Sequence, residues 1–154
     1  MAFKDTPGIQ RLIADYEAID LKLPEPNPLI PQYFAIKSSR DALVKNLEEP
    51  ILLKKEHGLE VWLHQDHVFK MPRVVVHLVF IVPGLFASPK LRSFFSVYTD
   101  CLIEKITAEI GYEAILSDMA YSIKSFENLG FKVKFSGYND KIVTFIKIFF
   151  EIMY

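Results

Sequence analysis

This 154-residue chain is short of several residue types: it has one cysteine, one tryptophan and six glycines, and its formal net charge is −1. Each shortage excludes something. A lone Cys101 cannot staple the fold to itself. It falls within a helical apolar pattern, where a buried and inert thiol is the expectation, and a reducing intracellular compartment, the cytoplasm, is the default. Six glycines leave little room for a phosphate cradle. Cys101 and His77 could be written as nucleophile and base, but no G-x-S-x-G elbow or oxyanion loop accompanies them. The balance of 18 basic and 19 acidic residues leaves no electrostatic footprint for nucleic acid or an anionic membrane. The Phe94-Phe95 and Phe149-Phe150 pairs lack the basic neighbours of a base-stacking platform, since Lys132 and Lys134 alone are too few, so they read as core. The N-terminal MAFKDTPGIQ has neither the apolar centre of a signal peptide nor the arginine-rich face of a transit peptide. The apolar runs 74–86 and 142–154 are too short to span a bilayer and are interrupted by His77, Lys147 and Glu151.

What the chain has is apolar material: 51% hydrophobic and 14% aromatic residues, enough for a real core. Ile9, Leu12, Ile13, Tyr16 and Ile19 recur at helical spacing and predict a short amphipathic helix over roughly Gly8 to Ile19. Pro24, Pro26, Pro28 and Pro31 then deny the backbone both donors and helical dihedrals. They leave an extended connector to about Glu49, long enough that it should wrap over a neighbour. The chain thus divides into an N-terminal helix and connector, 1–49, and an α+β unit, 50–154.

Within that unit, Ile51 to Glu56 and Leu59 to His64 predict a hairpin turning at His57-Gly58, where Gly58 supplies a positive φ. Arg73 to Val82 (RVVVHLVFIV) is β-branched and apolar on both faces, the pattern of a central strand covered on each side and interrupted only by His77. Ser88-Pro89 reads as a helix cap and first position. Leu91, Phe95, Tyr98, Leu102, Ile106, Ile110 and Ala114 continue that helix to about Asp118, with Gly111 costing about 1 kcal/mol against alanine. Tyr121 to Glu127 and Phe131 to Gly137 predict a second hairpin around Asn128-Leu129-Gly130. Asn139 or Asp140 then caps a final helix rich in isoleucine and phenylalanine.

Candidate chemistry is sparse. His57-Gly58-Leu59-Glu60-Val61 supplies the first and fourth residues of the inverted zinc motif H-x-x-E-H and puts valine where the second histidine belongs. That motif needs a helix, on which its two histidines point the same way; at a hairpin turn, His57 and Glu60 are a surface pair. His64 and His67 flank Asp66, but on a strand such spacing points to opposite faces, and a polar loop is the expectation rather than a metal site. His77 is expected to be a buried, hydrogen-bonded core histidine, and Glu104, Glu109 and Glu113 a solvated helix face. No residue is assigned as catalytic, cofactor-binding or metal-ligating.

The segments LPEPNPLIPQYFAI, HGLEVWLHQDHVFKMPRVVVHLVF and GFKVKFSGYNDK, in this order, resemble the start of the third of the four domains of the insulin-degrading enzyme and pitrilysin family of zinc peptidases. The similarity covers most of Gly8 to Lys147, with Arg40 to Pro50 the least alike. The resemblance implies an α+β two-layer sandwich, a roughly five-stranded and mostly antiparallel sheet with helices packed on one face. It also implies a parent peptidase whose zinc lies in another domain, where H-x-x-E-H sits on the long helix; here that helix reads SPKLRSFFSVYTDCLIEKI and holds no histidine. The chain alone would then be no enzyme and need no cofactor, forming part of the chamber wall. Its partners would be the parent's other domains, with peptide substrate met only indirectly. A free-standing binding module, or an inactive subunit of a split peptidase, stays open. Self-association through the apolar last helix, Ile142, Phe145, Ile146, Phe149 and Phe150, or through a sheet edge is a further expectation.

Overall fold

The computed structural model describes residues 23, 25–36, 49–66 and 68–154. The expected first helix, residues 21, 22, 24 and 37–48 of the connector, and His67 lie outside them. Among the described residues five strands form, in two sheets rather than one. Strands β1 (Ile51–Glu56) and β2 (Leu59–Leu63) make an antiparallel hairpin, and β3 (Arg73–Ile81), β4 (Ala120–Phe126) and β5 (Gly130–Tyr138) make an antiparallel sheet in the order β3-β5-β4. The split has a local cause. After β2, the Asp66 carboxylate accepts from the backbone N–H groups of Val68 and Phe69. Lys70 then takes a left-handed φ of 47°, and Pro72 follows, so the chain turns away before β3 begins.

Among the described residues β3 is therefore an edge strand, paired only with β5 in unbroken register from Arg73↔Tyr138 to Ile81↔Gly130. This corrects the central position expected from its composition. Its Val74, Val76, Leu78 and Phe80 turn toward the core, while Val75, His77, Val79 and Ile81 face outward and are exposed. Gly130 fits the register because it lacks a Cβ: one built there would lie 1.8 Å from the Phe80 carbonyl oxygen.

The Ser88 hydroxyl accepts from the Leu91 N–H at 3.3 Å, with Pro89 opening helix α1 (Pro89–Ile106), as the sequence predicts. The helix widens through one π segment, Thr107–Gly111, and resumes as α2 (Tyr112–Leu116). Gly111 is buried there, and a Cβ would come within 3.1 Å of Thr107 Cγ2. The final helix α3 (Ile142–Met153) begins without a side-chain cap. Asn139 and Asp140, expected to cap it, are occupied elsewhere.

The core lies between these helices and one face of the larger sheet. Leu102, Ile106, Ile110 and Ala114 meet Val133 and Phe135 of β5 and Ile142, Phe145, Phe149 and Ile152 of α3. Phe135 packs edge-to-face on Phe149, centroids 4.8 Å apart at 90°, and on Phe145 at 5.8 Å. Each such ring contributes about 2–3 kcal/mol by burial. Lys105 reaches from α1 to donate to the Ile152 carbonyl at 2.7 Å, holding the last turn of α3.

Ile142, Phe145 and Phe149 are thus spent on this core, and only Ile146 and Phe150 stay partly open. The last helix is not the bare apolar surface that its composition suggested.

Candidate functional site

The H-G-L-E-V segment sits on the turn between β1 and β2. Gly58 takes φ +78°, and Glu56 pairs with Leu59 across the turn. Glu60 is committed to Lys55, 2.7 Å away across the strands, and lies 3.4 Å from the indole N–H of Trp62. The hydrogen bond from Lys55, then its charge, then the bond from Trp62 lower the Glu60 pKa. A carboxylate so occupied, with Val61 in place of a second imidazole and no helix to align ligands, does not fit a zinc ion. No reaction step is derived through one.

The other candidates stay apart. His64 is exposed in the loop after β2, and Asp66 is a turn-former, in keeping with a polar loop. Among the described residues no group of three or more His, Cys, Asp or Glu side chains is placed to hold a metal ion. His77 is not buried: it faces outward on β3, opposite Lys134. Partial desolvation, followed by the positive charges of Lys132 and Lys134, lowers its pKa. Cys101 is exposed, which corrects the expected buried thiol. Leu102 and Ile106 take the inward positions of α1, so the residue just before Leu102 points away. Glu104 and Glu109 are solvated as expected, and Glu113 is partly covered.

Two features were not anticipated. The first is how the proline-rich strap is tied down. The Asn27 amide donates to the Glu113 carbonyl at 2.9 Å and the buried Ser117 hydroxyl at 3.0 Å, while its oxygen accepts from Leu29 N–H at 2.8 Å. Leu29 inserts fully into the core, Asp140 accepts from the N–H groups of Gln32 and Tyr33, and Asn139 donates to the Ala35 carbonyl. Phe34 then meets Tyr138 edge-on, with centroids 5.3 Å apart. The described part of the connector, residues 25–36, does lie over its neighbour as its length suggested, and Asn27, set between prolines, is what ties it down. The second feature is a groove of about 370 Å³ between α1 and the sheet, lined by Leu91, Phe95, Leu102, Ile123, Phe131 and Met153 among others. No histidine, cysteine or charged residue lines it, so it has the shape of a packing groove rather than a reaction site.

The family described as the middle or third domain of peptidase M16 matches residues 5–154. The A-factor-processing enzyme of Saccharomyces cerevisiae is 28% identical over 131 residues, 85% of this chain and 12% of its own length. Insulin-degrading enzyme-like 2 of Arabidopsis thaliana is 27% identical over 134 residues, 87% of this chain and 13% of its own. The insulin-degrading enzyme of Homo sapiens is 26% identical over 132 residues, 86% and 12%. This chain therefore spans about an eighth of the length of these relatives. By a match that covers nearly all of its residues, the chain belongs to the peptidase M16 family, in the middle or third domain.

Proposed function

We propose that the chain serves as a non-catalytic structural domain of an insulin-degrading-enzyme-like zinc endopeptidase, walling part of the substrate chamber and docking on the parent's other domains. In this reading 1–49 is the helix and connector and 50–154 the peptidase-like α+β unit, with no catalytic, cofactor-binding or metal-ligating residue. The observation that carries it is the placement of the motif remnant. The helix after β3 holds no histidine, and His57 and Glu60 stand on a hairpin turn with Val61 beside them. The hairpin supports a docking role, because Leu52, Leu53, Leu59 and Trp62, with Val68 and Phe69 just beyond it, are exposed. Zinc would be held in another domain of the parent. The split-peptidase alternative rests on the small share of the relatives that the chain spans, and the natural reading frame after Tyr154 decides between the two.

The direct test is elemental analysis of the purified chain after dialysis against zinc, beside a fluorogenic peptide assay. The expected result is no stoichiometric zinc and no cleavage. One tightly held zinc per chain, lost in His64→Ala or His67→Ala, overturns the reading.

A further inference from the structure

Strand alternation and register bring the positive charges of β4 and β5 together on the outer side of the larger sheet. Lys124 stands opposite Lys132, and Lys134 lies between Ser122 on one side and His77 on the other. Side chains directly opposed in this way have Cβ atoms about 5 Å apart, and like charges there destabilise the sheet. The remaining outward positions are Val75, Val79, Ile81, Ala120, Ser122, Phe126, Gly130, Ser136 and Tyr138, with Arg73 at one end already paired to Asp118. None of them is acidic; Glu127 stands in the turn beyond the last pair. Among the described residues Lys124, Lys132 and Lys134 make no ion pair or hydrogen bond. In a chain of net charge −1, this is a local concentration of one sign.

Beside the lysines, Val75, Val79 and Ile81 are 52%, 44% and 59% exposed. The surface is therefore a flat, mixed grid of cations and β-branched carbons. We infer that this sheet face docks an acidic polypeptide segment in extended conformation, with both carboxylates and aliphatic side chains on the face it turns to the sheet. An extended segment repeats its side chains every second residue, as the strands beneath it do, so carboxylates can meet the lysines while aliphatic groups cover the valines. A phosphate ligand fits less well: the unpaired cations are lysines rather than the forked guanidinium suited to phosphate, and the two rings on this face, Phe126 and Tyr138, stand at its opposite ends with aliphatic side chains between them. The inference goes beyond the peptidase reading and does not depend on it.

The test is fluorescence anisotropy of the full chain with a labelled peptide of repeating Glu-Ser-Val-Ser, which puts glutamate and valine on one face of an extended chain, at low and at physiological ionic strength. Saturable binding that weakens with salt is expected, with no binding of the matching lysine-valine peptide. The triple variant Lys124→Gln/Lys132→Gln/Lys134→Gln should bind at least about tenfold more weakly. Lys54→Gln/Lys55→Gln/Lys90→Gln, of equal net charge, should stay within about twofold. Lys134→Gln alone supplies a second reading if the triple variant loses its far-UV dichroism. Equal losses in the two triple variants, or equal binding of the lysine-valine peptide, overturn the inference. So does tighter binding of a single-stranded oligonucleotide or of phosphatidylserine vesicles.

Discussion

The two hairpins of this chain are written in similar sequence and end in different circumstances. One strand of each, β2 and β5, alternates apolar and polar residues, and both hairpins pair antiparallel around a tight turn. β4-β5 lies on a core: Val133 and Phe135 meet Phe145 and Phe149 of α3, and β5 is the middle strand of its sheet. Among the described residues β1-β2 has no such backing. Its side-chain ties, Lys54 to Glu56, Lys55 to Glu60 and Trp62 to Glu60, stay within the hairpin, and most of its residues are exposed. A two-stranded ribbon alone is marginal in water. The difference teaches that alternation specifies a strand, while stability comes from what the apolar face finds to press against.

The sharpest way to break the comparison is at the glycines. Gly130→Ala would place a Cβ 1.8 Å from the Phe80 backbone oxygen, which cannot move without opening the β3-β5 register. A loss of about 3 kcal/mol or more is expected, enough to unfold a marginal domain. Gly58→Ala in the other hairpin meets nothing within 4 Å and suffers only from its φ of +78°. It should cost about 1–2 kcal/mol. Urea unfolding followed by circular dichroism measures both, and equal effects would mean that the two hairpins are equally supported.

Side-chain truncation comes next. Phe135 is 0% exposed and touches Phe145, Phe149 and Phe150. Phe135→Ala should cost about 3–5 kcal/mol, because the cavity it leaves is walled by rings that cannot all collapse. Trp62 is 57% exposed in β2. Trp62→Ala should change global stability by about 0.5 kcal/mol or less in the isolated chain. Were Trp62→Ala the costlier substitution, β1-β2 would be packed more firmly than its exposure indicates.

Much of this architecture was legible because it depends on short-range chemistry. Ser88-Pro89 starts a helix wherever it stands, Gly58 turns a hairpin, and the inward Val133 and Phe135 declare themselves by alternation. What was not legible depends on partners far along the chain. A run such as RVVVHLVFIV reads the same whether its second face is covered or open, so β3 was placed in the centre and His77 in the core. Asn139 and Asp140 have the chemistry of helix caps, yet they bond the strap about a hundred residues earlier in sequence, a competition invisible to local pattern. Cys101 differs from an inward residue by one position of helix phase. That Val61 stands where H-x-x-E-H has its second histidine is a fact of the sequence alone.

The smallest effect separates the hairpins by pH, and the lone tryptophan, Trp62, reports on β1-β2 by itself. His77 on the larger sheet has a pKa lowered from 6.5, first by desolvation and then by Lys132 and Lys134, so the unfolded chain binds its proton more readily than the folded one. The stability linked to it is fully present above pH 6.5 and is lost as pH falls through the lower folded value. Glu60 has a pKa lowered from 4.5 by its bond to Lys55, so its contribution holds above 4.5 and disappears only as pH falls through a still lower value. Between these windows the sheet should weaken while the hairpin keeps its ion pair. A modest drop in melting temperature from pH 7 to pH 5 is therefore expected, absent in His77→Gln, with Trp62 fluorescence in the folded chain flat over that range. A fluorescence change near pH 6 that persists in His77→Gln would show that the hairpin senses another group. A melting temperature that falls equally in His77→Gln would remove His77 from the account.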